Sequence, residues 1–194
     1  MSIAEANGRI IGIARRALAA GRRAQVSVQS AFGCGHEGPV PRDRVVGIVK
    51  SFLDAGLRSL SLADTAGHAT PDDVLELYGR VRALDPQAEW SCHFHDTYGL
   101  ALANCYAARQ AGVTSFESSI AGLGGCPFTK VAGGNTCTED LVHAWQRNGV
   151  RTDVRLHTLL DLASEMSRFF GRELPGSVYR SGPIPTPAPS ADGR

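Results

Sequence analysis

Two imidazoles two residues apart, in His93-Phe94-His95-Asp96, are the first feature of this chain that could do chemistry. In an extended segment, side chains two apart project to the same face, so His93 and His95 can offer two nitrogen ligands to one ion. An isolated pair of this kind is as readily one packed histidine and one loop histidine, because two neutral ligands do not define a metal site. A second feature is Gly122-Leu123-Gly124-Gly125-Cys126-Pro127-Phe128, whose glycines would let a loop move and bring Cys126 over a substrate. The plainer alternative is a buried or incidental thiol. Asp64 stands where a strand meets its loop in Leu62-Ala63-Asp64-Thr65-Ala66-Gly67. It suits a general base, a partner that orients a ligand, or a turn and cap residue. Asn135, in Gly133-Gly134-Asn135-Thr136, is either a neutral oxygen ligand for a hard cation or the cap of a helix starting near Thr138.

Something must hold these groups in place, and the apolar spacing says what. Ile3, Ala6, Ile10, Ile13 and Leu18 predict a helix over 3–20. A short β-type run, Val26-Ser27-Val28, leads into a Gly-containing loop, and a helix opens at Pro41 and Asp43 and ends at Gly56. The pattern repeats: a strand at Arg58–Leu62, a helix at Pro71–Leu84, a strand at Trp90–Phe94, a helix at Ala101–Ala111, and a strand at Ser115–Ile120. Helices near 138–148 and 156–171 follow. Strands recurring every 25–33 residues with a helix between each pair are the signature of a parallel α/β sheet.

Asp64, His93 and His95 fall at strand C-termini, where a (β/α)8 barrel builds its active site. An open doubly wound sheet would show a G-x-G-x-x-G turn after its first strand, and GCGHEG lacks that spacing. The barrel is favoured, although a whole barrel needs eight strands and only four are visible.

With 20 basic residues against 19 acidic, the net charge is +1, which gives no reason to expect nucleic acid or an anionic membrane as partner. No apolar run approaches the roughly 20 residues that span a bilayer. Five cysteines, an odd number with no CxxC pair, make a disulfide framework or structural zinc improbable and fit a reducing cytoplasm. Residues 176–194, ending in SGPIPTPAPSADGR, are expected to be a Pro-rich loose tail behind a domain spanning 1–175.

VSVQSAFGCGHEG, SLADTAG, HFHDTYGLALAN and GLGGCPFTKVAGGN together resemble the later strands and loops of the hydroxymethylglutaryl-CoA lyase family, over about residues 3–170. HxHDTYG alone would admit related aldolases and acyl-CoA-dependent synthases. GLGGCP followed by GN points more narrowly to the lyase.

The resemblance implies the C-terminal half, about four βα units, of a (β/α)8 TIM barrel plus C-terminal helices. It implies Mg2+ or Mn2+ held by His93, His95 and Asn135 with an aspartate from the first barrel strand. The implied reaction is cleavage of 3-hydroxy-3-methylglutaryl-CoA to acetyl-CoA and acetoacetate. Cys126 then belongs to a mobile loop that assists the proton steps, Asp64 to the acid/base network, and His93 also shuttles a proton. The alternatives are another metal-dependent aldolase or an acyl-CoA-condensing synthase, against which Cys126 argues, and a non-catalytic half-barrel that binds a partner chain.

The family's opening strand carries an Arg-Asp pair for which there is no counterpart here. Arg42-Asp43 falls between the first visible strand and its helix, and the acidic residue of the family's second strand is missing too. Met1 corresponds to a point inside the fourth helix of an intact barrel. A truncated gene, a split enzyme and a self-pairing half-barrel are the explanations, in that order. An N-terminal half-barrel chain or self-association is accordingly the expected partner besides the acyl-CoA substrate. The chain alone is expected to be inactive unless a carboxylate such as Glu37 or Asp96 supplies the missing ligand.

Overall fold

A computed structural model describes residues 1–125 and 133–185. The described residues fall into two compact units.

The first unit comprises residues 1–118 with 124–125 and 133–136. Helix α1, Ile3–Ala19, opens on a capping box in which Ser2 and Glu5 satisfy each other's amides. Strand β1, Val26–Val28, is followed by helix α2, Arg42–Asp54, and strand β2, Ser59–Asp64. Helix α3, Pro71–Arg82, has a second capping box, Thr70 with Asp73, and Pro71 at its first turn, where no amide partner is lost. Strand β3 is Glu89–Phe94, helix α4 Ala101–Gln110 and strand β4 Ser115–Glu117.

The strands lie parallel in the order β1-β2-β3-β4. This is an α/β fold with a four-stranded parallel sheet, as the strand–helix alternation predicts. Val26, Val28, Leu60, Leu62, Trp90, Cys92 and Phe94 share one parity and are all buried. The Tyr78 ring of α3 meets Trp90 edge-on with centroids 6.3 Å apart, so this is the helix-covered face. The opposite parity is polar. Ser27, Ser61, Ser91 and Ser115 stand in register as one row across all four strands, and Ala63, His93 and Glu117 form the next row.

The second unit comprises residues 119–123 and Cys137 onward. A 3-10 turn at Ile120–Gly122 precedes α5, Thr138–Gln146, α6, Leu156–Phe170, and α7, Val178–Ser181. Ala121, Ala163 and Leu174 form its core, with Ile120, Leu123, Met166 and Tyr179 packed around them. The predicted strand over Ser115–Ile120 stops at Glu117, because Ile120 joins this core and Ala121 turns the chain at φ 53°. Residues 176–185, expected to belong to the loose tail, include α7. Asp140 accepts hydrogen bonds from the amides of Ser177 and Val178 at its start, a partner 37 residues away that no local pattern announces. No helix among the described residues is long and apolar enough to cross a membrane.

Candidate metal centre

His93 occupies the penultimate position of β3, and His95 follows the strand's end. Their rings lie with centroids 5.0 Å apart, so the two imidazoles do come to one place. The chain returns beside them at residues 133–136. Asp96 N donates to Gly134 O at 2.7 Å, Thr136 N donates to Phe94 O at 3.0 Å, and His95 bridges Asn135 in antiparallel fashion. Asn135 is thereby fixed alongside His95 although 40 positions separate them. The approach requires glycine. A Cβ on Gly133 would stand 2.7 Å from Thr97 Cα, which is rigid backbone, and one on Gly124 would strike the Asn135 amide.

Each imidazole meets an oxygen through Nδ1. In His95, Nδ1 lies 3.0 Å from Gly133 O. A carbonyl only accepts, so Nδ1 carries the proton and Nε2 the free lone pair. In His93, Nδ1 lies 3.1 Å from Glu117 Oε2, a close but bent contact short of hydrogen-bond alignment. Burial pushes the His93 pKa down, opposed by the Glu117 carboxylate and reinforced by His95. The imidazole is therefore biased toward the neutral form that a metal ligand must have. Two neutral nitrogens and an amide beside a carboxylate fit a divalent cation by donor chemistry. His93, His95 and Asn135 are the residues that would hold it.

Asp64 is fully buried, with Oδ1 accepting from His68 N at 2.8 Å and Oδ2 from Ala69 N at 3.1 Å. Burial raises its pKa, while those two amides and the nearby imidazoles of His68 and His95 pull it back. As placed, it holds together the loop that follows β2. Glu37 pairs with Arg44 at 2.8 Å, and Asp96 Oδ1 accepts from Ala101 N at 2.9 Å at the start of α4, so both carboxylates have structural partners. Cys126 lies outside the described residues.

The residue missed in the sequence is Glu117. Its only sequence signal is the third position in a short β-type run, and its meeting with His93 depends on the β3–β4 register.

In the second unit, Cys137, Glu139 and Asp140 bring ligand atoms within 4.8 Å of one another. Glu139 Oε2 accepts from Ala121 N at 3.0 Å, and both Asp140 oxygens receive the amides at α7. Burial, followed by the thiol's bond to Glu139, pushes Cys137 far above the usual thiol range. These groups tie the unit's helices together.

The HMGL-like family model matches residues 1–166. The mitochondrial hydroxymethylglutaryl-CoA lyase of Homo sapiens is 37% identical over 180 residues, covering 93% of this chain and 55% of the relative. The (R)-citramalyl-CoA lyase of Chloroflexus aurantiacus is 38% identical over 159 residues, covering 82% of this chain and 50% of the relative. Among solved structures, an HMG-CoA lyase from Acinetobacter baumannii in complex with coenzyme A and 3-methylmalate superposes with a TM-score of 0.88 and 32% identity. The match covers 97% of this chain and 62% of that one. The chain thus spans about half the length of the curated relatives it matches.

Proposed function

The chain belongs to the HMGL-like family, and on that premise we propose that it supplies the metal-binding half of a carbon–carbon lyase. The completed enzyme cleaves 3-hydroxy-3-methylglutaryl-CoA to acetyl-CoA and acetoacetate. The observation that carries this reading is the pair of imidazoles with ring centroids 5.0 Å apart, with Asn135 bridged to the second of them. Mg2+ or Mn2+, when bound, would lower the cost of forming an alkoxide from the substrate's hydroxyl before the bond breaks. The chain's own residues supply part of the site. His95 keeps Nε2 available because Gly133 holds its Nδ1 proton. Burial biases His93 toward the neutral imidazole, whose Nε2 lone pair goes either to the ion or to a proton in transit, one at a time. On the family resemblance, Cys126 is assigned to the proton steps.

Strands β1 and β4 are the two edges of the sheet, and each pairs on one side only among the described residues. Parallel edges invite association, which supports an N-terminal half-barrel chain or a second copy as partner. A second substrate is favoured by the citramalyl-CoA lyase relative, which is as similar as the human hydroxymethylglutaryl-CoA lyase. The same cleavage of that thioester would release pyruvate.

The test incubates the purified chain with magnesium or manganese and each thioester, and measures acetoacetate and pyruvate. The chain alone should release neither at an appreciable rate. Adding an N-terminal half-barrel from a relative, fused or separate, should restore acetoacetate release and metal affinity together. Restored turnover that yields only pyruvate would move the substrate to citramalyl-CoA. Failure of the completed protein with both thioesters would overturn the lyase reading.

A further inference from the structure

We infer that Glu117 is a positioning residue for His93: its carboxylate accepts from Nδ1–H, so the proton stays on Nδ1 and the Nε2 lone pair is left for a divalent cation. The use of that lone pair rests on the metal reading above, but the claim about the proton stands on the sheet itself.

The two histidines differ in what faces Nδ1. His95 has its Nδ1 proton assigned by a carbonyl, Gly133 O at 3.0 Å. No backbone carbonyl among the described residues makes a hydrogen bond to His93 Nδ1. What stands beside its Nδ1 is Glu117 Oε2 at 3.1 Å. The pairing is built in by register: His93 and Glu117 are directly opposite on adjacent parallel strands and share the polar face. The carboxylate is braced from the other side too, because Ser61 on β2 donates its hydroxyl to Glu117 Oε1 at 3.3 Å. One carboxylate thus reaches two strands, with one oxygen for a serine and one for an imidazole.

The contact to His93 is bent, as contacts in a catalytic site often are before substrate and metal assemble it. Metal-ligating histidines commonly donate the second ring N–H to a carboxylate or carbonyl. That fixes the tautomer, and losing it costs about 10- to 100-fold in metal affinity. Carbonyl for His95 and carboxylate for His93 would complete that arrangement at both ligands. A solvated surface carboxylate that merely happens to lie nearby would fix nothing.

The tautomer is directly readable without metal. In the chain labelled with 15N-histidine, at about pH 8, long-range proton–nitrogen correlation distinguishes a protonated Nδ1 from a protonated Nε2. In the native sequence both His93 and His95 should carry the proton on Nδ1. Glu117→Ala should move the His93 proton to Nε2 and leave His95 unchanged, which also shows that the site has stayed folded. Glu117→Gln, which keeps an acceptor oxygen, should retain the native tautomer. In parallel, Mn2+ titration followed by electron paramagnetic resonance should show Glu117→Ala weakened by about 10- to 100-fold and Glu117→Gln by much less.

A native His93 protonated on Nε2 overturns the inference whether or not any variant folds, and so does an unchanged tautomer in Glu117→Ala. A tautomer switch in a chain that binds no Mn2+ would uphold the positioning role and sink the metal reading instead.

Discussion

On the helix side of the sheet, Leu60, Leu62, Trp90, Cys92 and Phe94 are buried among apolar neighbours. On the opposite parity of the four strands stand Ser27, Ser61, Ser91, Ser115, His93 and Glu117. A parallel sheet usually hides apolar residues on both faces. Here the two-residue period of the strand sorts cohesion onto one side and hydrogen-bonding chemistry onto the other. The polar face is nonetheless ordered: Gln25 Nε2 donates to Ser91 Oγ at 2.8 Å, and Ser61 reaches Glu117. Its groups are held by each other, which is what ligands need, while the fold depends on the face they do not share.

Truncating one residue from each face tests the division most strongly. Phe94 is fully buried and lies 5.9 Å, centroid to centroid, from Phe32. Phe94→Ala should cost about 3–5 kcal/mol in denaturant unfolding. Ser91→Ala, on the polar face of the same strand, removes one hydrogen bond and should cost about 0.5–1.5 kcal/mol. Equal losses in the two variants would mean that the faces are not divided as described.

Asp64 offers a subtler test, because it shares parity with Leu60 and Leu62 and is the carboxylate on the wrong side. Burial raises its pKa above the ordinary carboxylate value of 3.8. The native protein therefore keeps a proton over a range where the unfolded chain has already released it. Stability from this group must fall as pH rises from about 3.8 through the folded value. Asp64→Asn should remove that downward slope from the difference between the two stability profiles, measured by denaturant unfolding across pH. A slope of the opposite sign would mean that the amides of His68 and Ala69 outweigh burial.

The smallest expected effect lies outside both faces. Thr70→Ala deletes the side-chain acceptor at the start of α3 and should cost about 1 kcal/mol, with His93 and His95 undisturbed in their NMR shifts.

Much of this was legible in the sequence because it is periodic. Val74, Leu77, Tyr78 and Val81 mark the buried side of α3, and all four are spaced i, i+3, i+4 and i+7 as in any amphipathic helix. His93 and His95, two apart, already implied a shared side. What could not be read is whatever depends on pairing between distant segments. Glu117 looks like an ordinary polar strand residue until β4 is set against β3. The Gly133 carbonyl that settles the His95 tautomer belongs to a backbone 38 residues away. Asp64 was legible as a residue at a strand end, and its two amide partners match the turn-forming alternative. The chemical alternative needs groups at the site that no local pattern supplies.

The chain has two tryptophans, and each unit holds one of them: Trp90 on β3 and Trp145 on α5. Both are buried, at 3% and 5% exposure, so both should emit at short wavelength in the native protein and shift to the red on exposure. Tyr78, whose ring centroid is 6.3 Å from that of Trp90, adds a nearby donor for energy transfer into the sheet's reporter. Replacing either indole by phenylalanine would leave an optical channel for one unit alone. Melting followed through the two channels, with coincident or separate transitions, reports whether the sheet and the helical unit lose their structure as one cooperative body or as two.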